Sequence, residues 1–259
     1  MQKIMFAGGS LPLPPAAQVQ VFNAGIGGHN TCQGVNRIDS LLVQYKPTIL
    51  VIGYGANDSV NSKALVPEQE FKDNLARMIT LARKNGVRTI VLNSCNPCID
   101  SCLNARHKYS DDLQPSERIR KYNQFIAETA AVHKVIFNDF HAAVMQKGGA
   151  SENAQSLIRN AANSKSNDGL HLTPDGARFL AETVADALDG KVRKDDRILC
   201  LGDSITYGAS LTGAGTVTGQ TYPAWLKTLL NFKLGLSREK TPPPYVEPNP
   251  IQEPDGRKK

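Results

Sequence analysis

Five short apolar segments, separated by stretches with helical spacing, constrain the fold of this chain more than any other feature. They occupy residues 19–23, 48–53, 87–93, 135–138 and 197–201. Runs that are apolar at nearly every position are typical of parallel strands covered on both faces. Strands that alternate with helices along the chain predict a doubly wound α/β domain with a parallel sheet.

The intervening segments repeat their apolar residues every three or four positions, as amphipathic helices do. Such spacing predicts helices around residues 38–45, 71–82 and 119–126, and a last helix that begins near Tyr222. The clearest helix is predicted from Pro174 to Asp189, because Thr173 can cap its start and Gly190 can end it.

Composition and charge exclude several classes of protein. The chain has 259 residues, 41% of them hydrophobic, and no apolar run approaches the ~20 residues that span a bilayer. The net charge is +6, but the basic residues are scattered and aromatic residues make up only 6%, which argues against a nucleic-acid partner. We therefore expect a small-molecule partner, with neither nucleic acid nor a membrane span.

The N-terminal segment, residues 1–18, is only mildly apolar. Lys3 is its one positive flank, and prolines interrupt its apolar stretch. A secretory signal peptide has a basic start followed by a continuous apolar region. The segment is therefore not expected to be a signal peptide, and a cytoplasmic location is favoured.

Three of the five cysteines lie close together, at Cys95, Cys98 and Cys102. Zinc sites usually contain two separated pairs of ligands, whereas here only His107 offers a fourth ligand nearby. We expect a surface loop with either free thiols or one disulfide. No metal and no cofactor is predicted.

Glycine-rich and polar segments follow the predicted strands, where α/β proteins bind their ligands. They are residues 23–31, 53–58 and 202–208, and a further segment, 168–171, precedes the predicted helix at Pro174. Ser204 becomes a nucleophile only with a base in reach; His171 is the candidate base, and Asp168 can fix its tautomer. The amide of Asn57 offers a donor to a developing oxyanion.

These segments together resemble the four signature blocks of the GDSL, or SGNH, hydrolases. The serine block is Gly202-Asp203-Ser204, the glycine is Gly28, the asparagine lies in Gly55-Ala56-Asn57-Asp58, and the histidine lies in Asp168-Gly169-Leu170-His171. The resemblance covers residues 18–230. It implies a flavodoxin-like three-layer α/β/α sandwich with a five-stranded parallel sheet, and serine ester hydrolysis without a metal.

The same resemblance implies a role for each matched residue. Ser204 is the nucleophile, His171 the base and Asp168 its orienting partner. The oxyanion hole would consist of the backbone N–H groups of Ser204 and Gly28 and the side chain of Asn57.

The chain departs from the family in two respects. His29 follows Gly28 where relatives often have Asp or Asn, which affects the hydrogen bonds of that loop. The serine block also comes last in the sequence, whereas in the family it comes first. We interpret this order as a circular permutation that joins the former termini near residues 190–196 and makes the central strand the last one. Residues 1–240 would form a single domain, and residues 241–259 a flexible proline-rich tail.

The favoured function is hydrolysis of short-chain acyl esters, especially acetyl esters, with a carbohydrate as one possible alcohol. The segments 94–114 and 141–167 are expected to border the site, and both are polar. Alternatives are a lysophospholipase or thioesterase of the same family, or an inactive binding module on this fold. A nucleotide-binding protein that uses Gly25–Gly28 is disfavoured, because the G-x-G-x-x-G pattern is absent.

Overall fold

The computed structural model describes residues 18–246, and a parallel sheet lies at its centre. The strands of this sheet are β1 (Gln20–Gly25), β2 (Ile49–Gly53), β3 (Thr89–Asn93), β4 (Ile136–Asn138) and β5 (Arg197–Gly202). Their order across the sheet is β1-β5-β2-β3-β4, and all neighbouring pairs are parallel. The predicted five-stranded parallel α/β fold is confirmed.

Helices cover both faces of the sheet. They are α1 (Thr31–Tyr45), α2 (Ala56–Val60), α3 (Glu68–Lys84), α4 (Asp100–Asn104), α5 (Pro115–Val132), α6 (Phe140–Gln146), α7 (Ala161–Ser164), α8 (Pro174–Ala187), α9 (Ser204–Tyr207) and α10 (Tyr222–Lys233). Helices α1, α3 and α5 bury their apolar residues against one face, and α6, α8 and α10 against the other. The result is a three-layer sandwich.

Alternation along the buried strands creates two hydrophobic cores. In β5, Leu199 and Leu201 point toward α1, α3 and α5, while Ile198 and Cys200 point toward α8 and α10. All four side chains are fully buried, as expected for a strand covered on both faces. This double burial explains why the strand is apolar at every position from Ile198 to Leu201.

Strand β5 lies inside the sheet, although it is the last strand in the sequence. Its residues pair with β1 on one side and β2 on the other, for example Ile198 with Val21 and with Ile49. In the order across the sheet, β5 is the second strand. The middle position, which was predicted for β5, is occupied by β2. The carboxyl end of β5 therefore lies between the loops that follow β1 and β2.

The two ends of the chain are described only in part. Residues 1–17, which are nearly all of the N-terminal segment considered above as a signal peptide, lie outside the described residues. So do residues 247–259, which are most of the predicted proline-rich tail. Within 241–246, the carbonyl oxygen of Pro243 accepts a hydrogen bond of 2.9 Å from the N–H of Gly219. Among the helices of the described range, none combines the length and apolarity that a membrane crossing requires.

Candidate active site

Ser204 is the first residue of α9, directly after the carboxyl end of β5. The turn requires glycine at position 202, because a Cβ there would lie 2.2 Å from Thr206 Oγ1 and 2.4 Å from the carbonyl oxygen of Gly53. Asp203 caps the helix by accepting a hydrogen bond from the N–H of Ile205. The serine hydroxyl is therefore held at the edge of the sheet where ligands bind in this fold class.

His171 connects Ser204 to Asp168 through its two ring nitrogens. Its Nε2 lies 3.0 Å from Ser204 Oγ, and its Nδ1 lies 2.9 Å from Asp168 Oδ2. Both are hydrogen-bond distances. This arrangement allows the serine proton to pass to Nε2 while the carboxylate holds the ring with a proton on Nδ1.

The carboxyl group of Asp168 is held in its ionised form. Burial raises its pKa, but hydrogen bonds from the His171 ring and from the N–H groups of His171 and Leu170 outweigh burial and bring the pKa well below its usual range. Those N–H groups donate to Oδ1 over 2.9 and 3.0 Å. Asp168 therefore stabilises a positive charge on His171 across the neutral pH range.

Three hydrogen-bond donors lie in the same cleft as the Ser204 hydroxyl group: the N–H groups of Gly28 and of Ser204 itself, and Nδ2 of Asn57. Gly28 has a positive φ of 79°, and its N–H group, like that of Ser204, finds no acceptor within the range 18–246. Asn57 donates from Nδ2 to the carbonyl oxygen of His29 over 2.9 Å, and its Oδ1 accepts from Asn61. Such fixed donors are the arrangement that stabilises an oxyanion.

The loop around His29 keeps its hydrogen bonding through the backbone. Its carbonyl oxygen binds Asn57, while its Nδ1 lacks a partner among the described residues. Burial, followed by the charge of Arg37, lowers the pKa of the His29 ring. His29, which stands where relatives often have Asp or Asn, therefore adds no charge to the loop. The N–H group of Gly28 remains without an acceptor among the described residues.

The connection between β3 and α5 holds the loop that carries Asp168 and His171. Three donors of this connection reach consecutive carbonyl oxygens of the loop: Asn96 Nδ2 to Leu170 at 2.9 Å, the Ile99 N–H to Gly169 at 2.8 Å, and Arg106 Nη2 to Asp168. This role could not be predicted from the sequence, because side-chain bonds to backbone oxygens leave no spacing pattern.

The cysteine cluster lies in this same connection, and the predicted surface location is wrong. Cys95, Cys98 and Cys102 are only 9%, 6% and 1% exposed, because the connection passes beneath the Asp168 loop and packs on both cores. Their thiols are free, the first of the two predicted states. Within residues 18–246 no cluster of side chains is arranged to hold a metal, and His107 faces Ser62 instead.

The cleft above Ser204 has a volume of about 440 Å³. It is lined by Gly27, Gly28, Asn57, Val60, Asn61, Arg106, His107, Leu170, His171, Ser204 and Ala209. Segment 94–114 contributes two of these residues, as expected. Segment 141–167 contributes none, which corrects the prediction: it lies behind the cleft, where the Arg159 N–H donates to the carbonyl oxygen of His171 at 2.8 Å.

A family model matches the larger part of the chain. The model for the GDSL-like Lipase/Acylhydrolase family matches residues 11–179. This range includes Gly28, Asn57, Asp168 and His171, and it ends before Ser204. The match therefore contains the glycine, asparagine and histidine blocks, which follow one another as they do in the family, and it does not contain the serine block.

Curated relatives and solved structures share this similarity. The uncharacterized lipoprotein YqeF of Bacillus subtilis (strain 168) is 29% identical over 182 residues, covering 65% of this chain and 73% of the relative. An arylesterase of Vibrio mimicus is 27% identical over 173 residues, covering 66% of this chain and 70% of the relative.

Two solved structures resemble the fold. A lipase/acylhydrolase from Enterococcus faecalis is similar with a TM-score of 0.50 and 20% identity, over 64% of this chain and 74% of the other. A mutant of an acetyl-xylooligosaccharide esterase from Geobacillus has a TM-score of 0.50 and 18% identity, over 66% of this chain and 73% of the other. At this identity the likeness concerns the fold alone.

Proposed function

Because the chain belongs to the GDSL-like lipase/acylhydrolase family and is a carboxylic ester hydrolase, we propose that it cleaves short-chain acyl esters through an acyl-enzyme on Ser204. The observation that carries this proposal is the hydrogen-bonded chain from Asp168 through His171 to Ser204. It contains a nucleophile, a base and a group that orients the base, which is the full set for acyl transfer.

The proposed reaction has two halves. Ser204 Oγ attacks the ester carbonyl carbon while His171 Nε2 takes the hydroxyl proton, and the resulting imidazolium is stabilised by Asp168. The tetrahedral intermediate then collapses as His171 returns the proton to the leaving alcohol. A water molecule, activated by the same nitrogen, hydrolyses the acyl-enzyme and releases the acid.

The negative oxygen of both tetrahedral intermediates would be held by the N–H groups of Gly28 and Ser204 and by Nδ2 of Asn57. Two of these donors have no acceptor among the described residues, and the third is oriented by its bond to His29. Donors already in place need no reorganisation when the charge develops, which lowers the barrier.

The composition of the cleft favours a short acyl group, acetyl above all, on a polar alcohol. Among its lining residues, only Val60 and Leu170 have apolar side chains larger than alanine. Each methylene needs apolar surroundings to gain about 0.8 kcal/mol, so a long chain would gain little here. Asn61 and His107 instead suit hydroxyl groups, and an acetylated carbohydrate is the substrate that we propose.

The block order supports a circular permutation of the ordinary family arrangement. Residues 190–196, the proposed junction, are fixed by Asp196, whose carboxylate binds Arg88 at 2.7 Å and Thr48 at 2.7 Å. Burial raises the pKa of Asp196, but hydrogen bonds from the Arg193 N–H, Thr48 and Arg88 lower it overall. The junction therefore anchors β5 beside β2.

The new chain start would lie at β1, where the amide of Asn231 bonds both backbone groups of Val19. We propose that residues 1–240 form one domain. A chain in which residues 196–236 are moved ahead of residues 18–190 should fold and keep esterase activity. Loss of both, with the original chain active in parallel, would contradict the permutation.

A series of 4-nitrophenyl esters tests the proposed activity. We expect kcat/KM to be highest for acetate and to fall steadily toward octanoate, with hydrolysis absent in Ser204→Ala. A kcat/KM that rises with chain length would favour the lysophospholipase or thioesterase alternative. Hydrolysis that is no faster than in the Ser204→Ala variant for every ester would favour a binding module.

A further inference from the structure

The cleft above Ser204 has an unbalanced charge. Its lining contains the guanidinium of Arg106 but no carboxylate side chain, because Asp168 lies behind His171 and outside the lining. Hydrolysis of a neutral ester does not use a fixed cation at this position. The arginine therefore calls for an explanation beyond the proposed triad and oxyanion hole.

Arg106 is exposed and has no acidic partner in the range 18–246. Its Nη2 donates to the carbonyl oxygen of Asp168, and none of the ion pairs among the described residues includes it. A guanidinium has five N–H donors, so most of them remain for a ligand. This is unlike Arg118, which pairs with Asp111.

A second cation lies near the same wall. Burial, followed by the charges of Arg106 and Lys63, lowers the pKa of His107, so both cations act on this ring. The ring is held by Ser62, whose Oγ lies 3.2 Å from His107 Nδ1. Lys63 is exposed and likewise forms no ion pair among the described residues. Within residues 18–246, neither Arg106 nor Lys63 is paired with a carboxylate, so both positive charges are uncompensated.

We propose that the ester substrate carries an anionic oxygen group, a carboxylate or a phosphate, that binds Arg106 and is attracted by Lys63. This inference rests on the proposed esterase activity and names its substrate class. A planar guanidinium suits both kinds of oxygen group, because two parallel N–H groups can bind two oxygens. Uncompensated positive charge also raises the rate at which an anionic substrate reaches the cleft.

Matched phenyl acetates test the proposal. The anionic substrates are 4-acetoxybenzoate and 4-acetoxyphenyl phosphate, methyl 4-acetoxybenzoate is the neutral reference, and 3-acetoxy-N,N,N-trimethylanilinium is the cationic one. For each, kcat/KM is divided by the rate constant of alkaline hydrolysis, which removes differences in leaving-group reactivity. The proteins are the wild type, Arg106→Gln, Arg106→Lys and Lys63→Gln. Arg77→Gln, an exposed position on α3, is the control for net charge.

We expect the wild type to prefer an anionic ester to the cationic one, and Arg106→Gln to reduce the anionic-to-neutral ratio about fivefold. Arg106→Lys should restore part of the ratio, Lys63→Gln should reduce it less, and Arg77→Gln should leave it unchanged. The preferred anion, carboxylate or phosphate, identifies the group. Salt at 0.5 M should weaken the preference, because it screens exposed charges.

The anionic-to-neutral ratio distinguishes recognition of the substrate's charge by Arg106 from the role of Arg106 in positioning the Asp168 loop. Loss of the bond from Arg106 to the carbonyl oxygen of Asp168 would lower the rates for neutral and anionic esters alike and leave their ratio unchanged. A ratio that neither Arg106→Gln nor Lys63→Gln changes, with Ser204-dependent hydrolysis of the neutral ester intact, would overturn the inference alone. Absence of Ser204-dependent hydrolysis for all four esters would overturn both the inference and the proposed function.

Discussion

The side-chain amide of Asn57 donates a hydrogen bond of 2.9 Å to the carbonyl oxygen of His29, and so joins the loop after β2 to the loop after β1. The second of these loops carries Gly28, and Ser204 follows β5, the strand between them. The three proposed oxyanion donors are thus fixed relative to one another before a substrate binds. Fixed donors are worth most where charge develops in the transition state.

Replacing Asn57 by alanine should lower kcat by about a hundredfold, with a much smaller effect on KM, because the lost donor acts mainly on the transition state. Steady-state kinetics with 4-nitrophenyl acetate measure this change. Asn85→Ala, at the exposed C-terminus of α3, is the matched control and should stay within twofold. A fully folded Asn57→Ala variant with near wild-type kcat would remove Asn57 from the oxyanion hole.

Asp168→Asn should retain more activity than His171→Ala. The asparagine keeps the side-chain shape next to Nδ1 but removes the charge that stabilises the imidazolium, whereas alanine at 171 removes the base itself. The double variant should be scarcely slower than His171→Ala, since these groups act as one unit. Single-turnover rates of acylation provide the comparison, and additive losses would contradict the shared role.

The positions of the strands along the chain and the five candidate site residues could be predicted, because each leaves a local pattern. The place of β5 in the sheet could not, since the middle position predicted for it belongs to β2. Strand β5 is apolar from Ile198 to Leu201, and Ser204 follows it in a small-residue turn. Helices α2 and α9 have five and four residues, too few for a repeat to show. The burial of Cys102 depends on the distant residue Gly169, whose added Cβ would lie 2.4 Å from Cys102 Cβ, so no local pattern indicates it.

Asn96→Ala should destabilise the protein and slow catalysis together. Asn96 is buried, and its amide binds the partly buried carbonyl oxygen of Leu170, so the change leaves that acceptor without its partner at a cost of about 1–3 kcal/mol. Urea unfolding and kcat measure the two effects. Asn104→Ala, in the same connection but bonded to exposed Gln114, is the control and should change neither. Unchanged kcat in Asn96→Ala would contradict the positioning role.

The thiols of Cys95, Cys98 and Cys102 should be inert in the folded protein. Burial raises the pKa of Cys95 and of Cys98, so both are protonated as well as inaccessible. Alkylation by iodoacetamide, followed by mass spectrometry, should be slow without denaturant and fast with it. Treatment with a chelator should leave kcat within a few-fold. A stoichiometric metal that is lost together with activity would show that the cluster has another role.

Asp203→Asn should stabilise the protein at pH 8 and much less at pH 5. Burial raises the pKa of Asp203 to about 7, far above its value in an unfolded chain. The folded state therefore binds a proton that the unfolded state releases, and stability falls as the pH rises from about 4 to about 7. Tm at both pH values tests this, with exposed Asp39→Asn as the control. An equal effect of Asp203→Asn at both pH values would contradict it.

The nucleophile is tested most directly by reacting the full chain with a fluorophosphonate and mapping the modified peptide by mass spectrometry while esterase activity is followed. We predict a single modification on Ser204 that proceeds in step with the loss of 4-nitrophenyl acetate hydrolysis, and neither modification nor activity in Ser204→Ala. A Ser204→Ala variant that hydrolyses the ester at the wild-type rate, or that is modified equally fast at another residue, would contradict the assignment of Ser204.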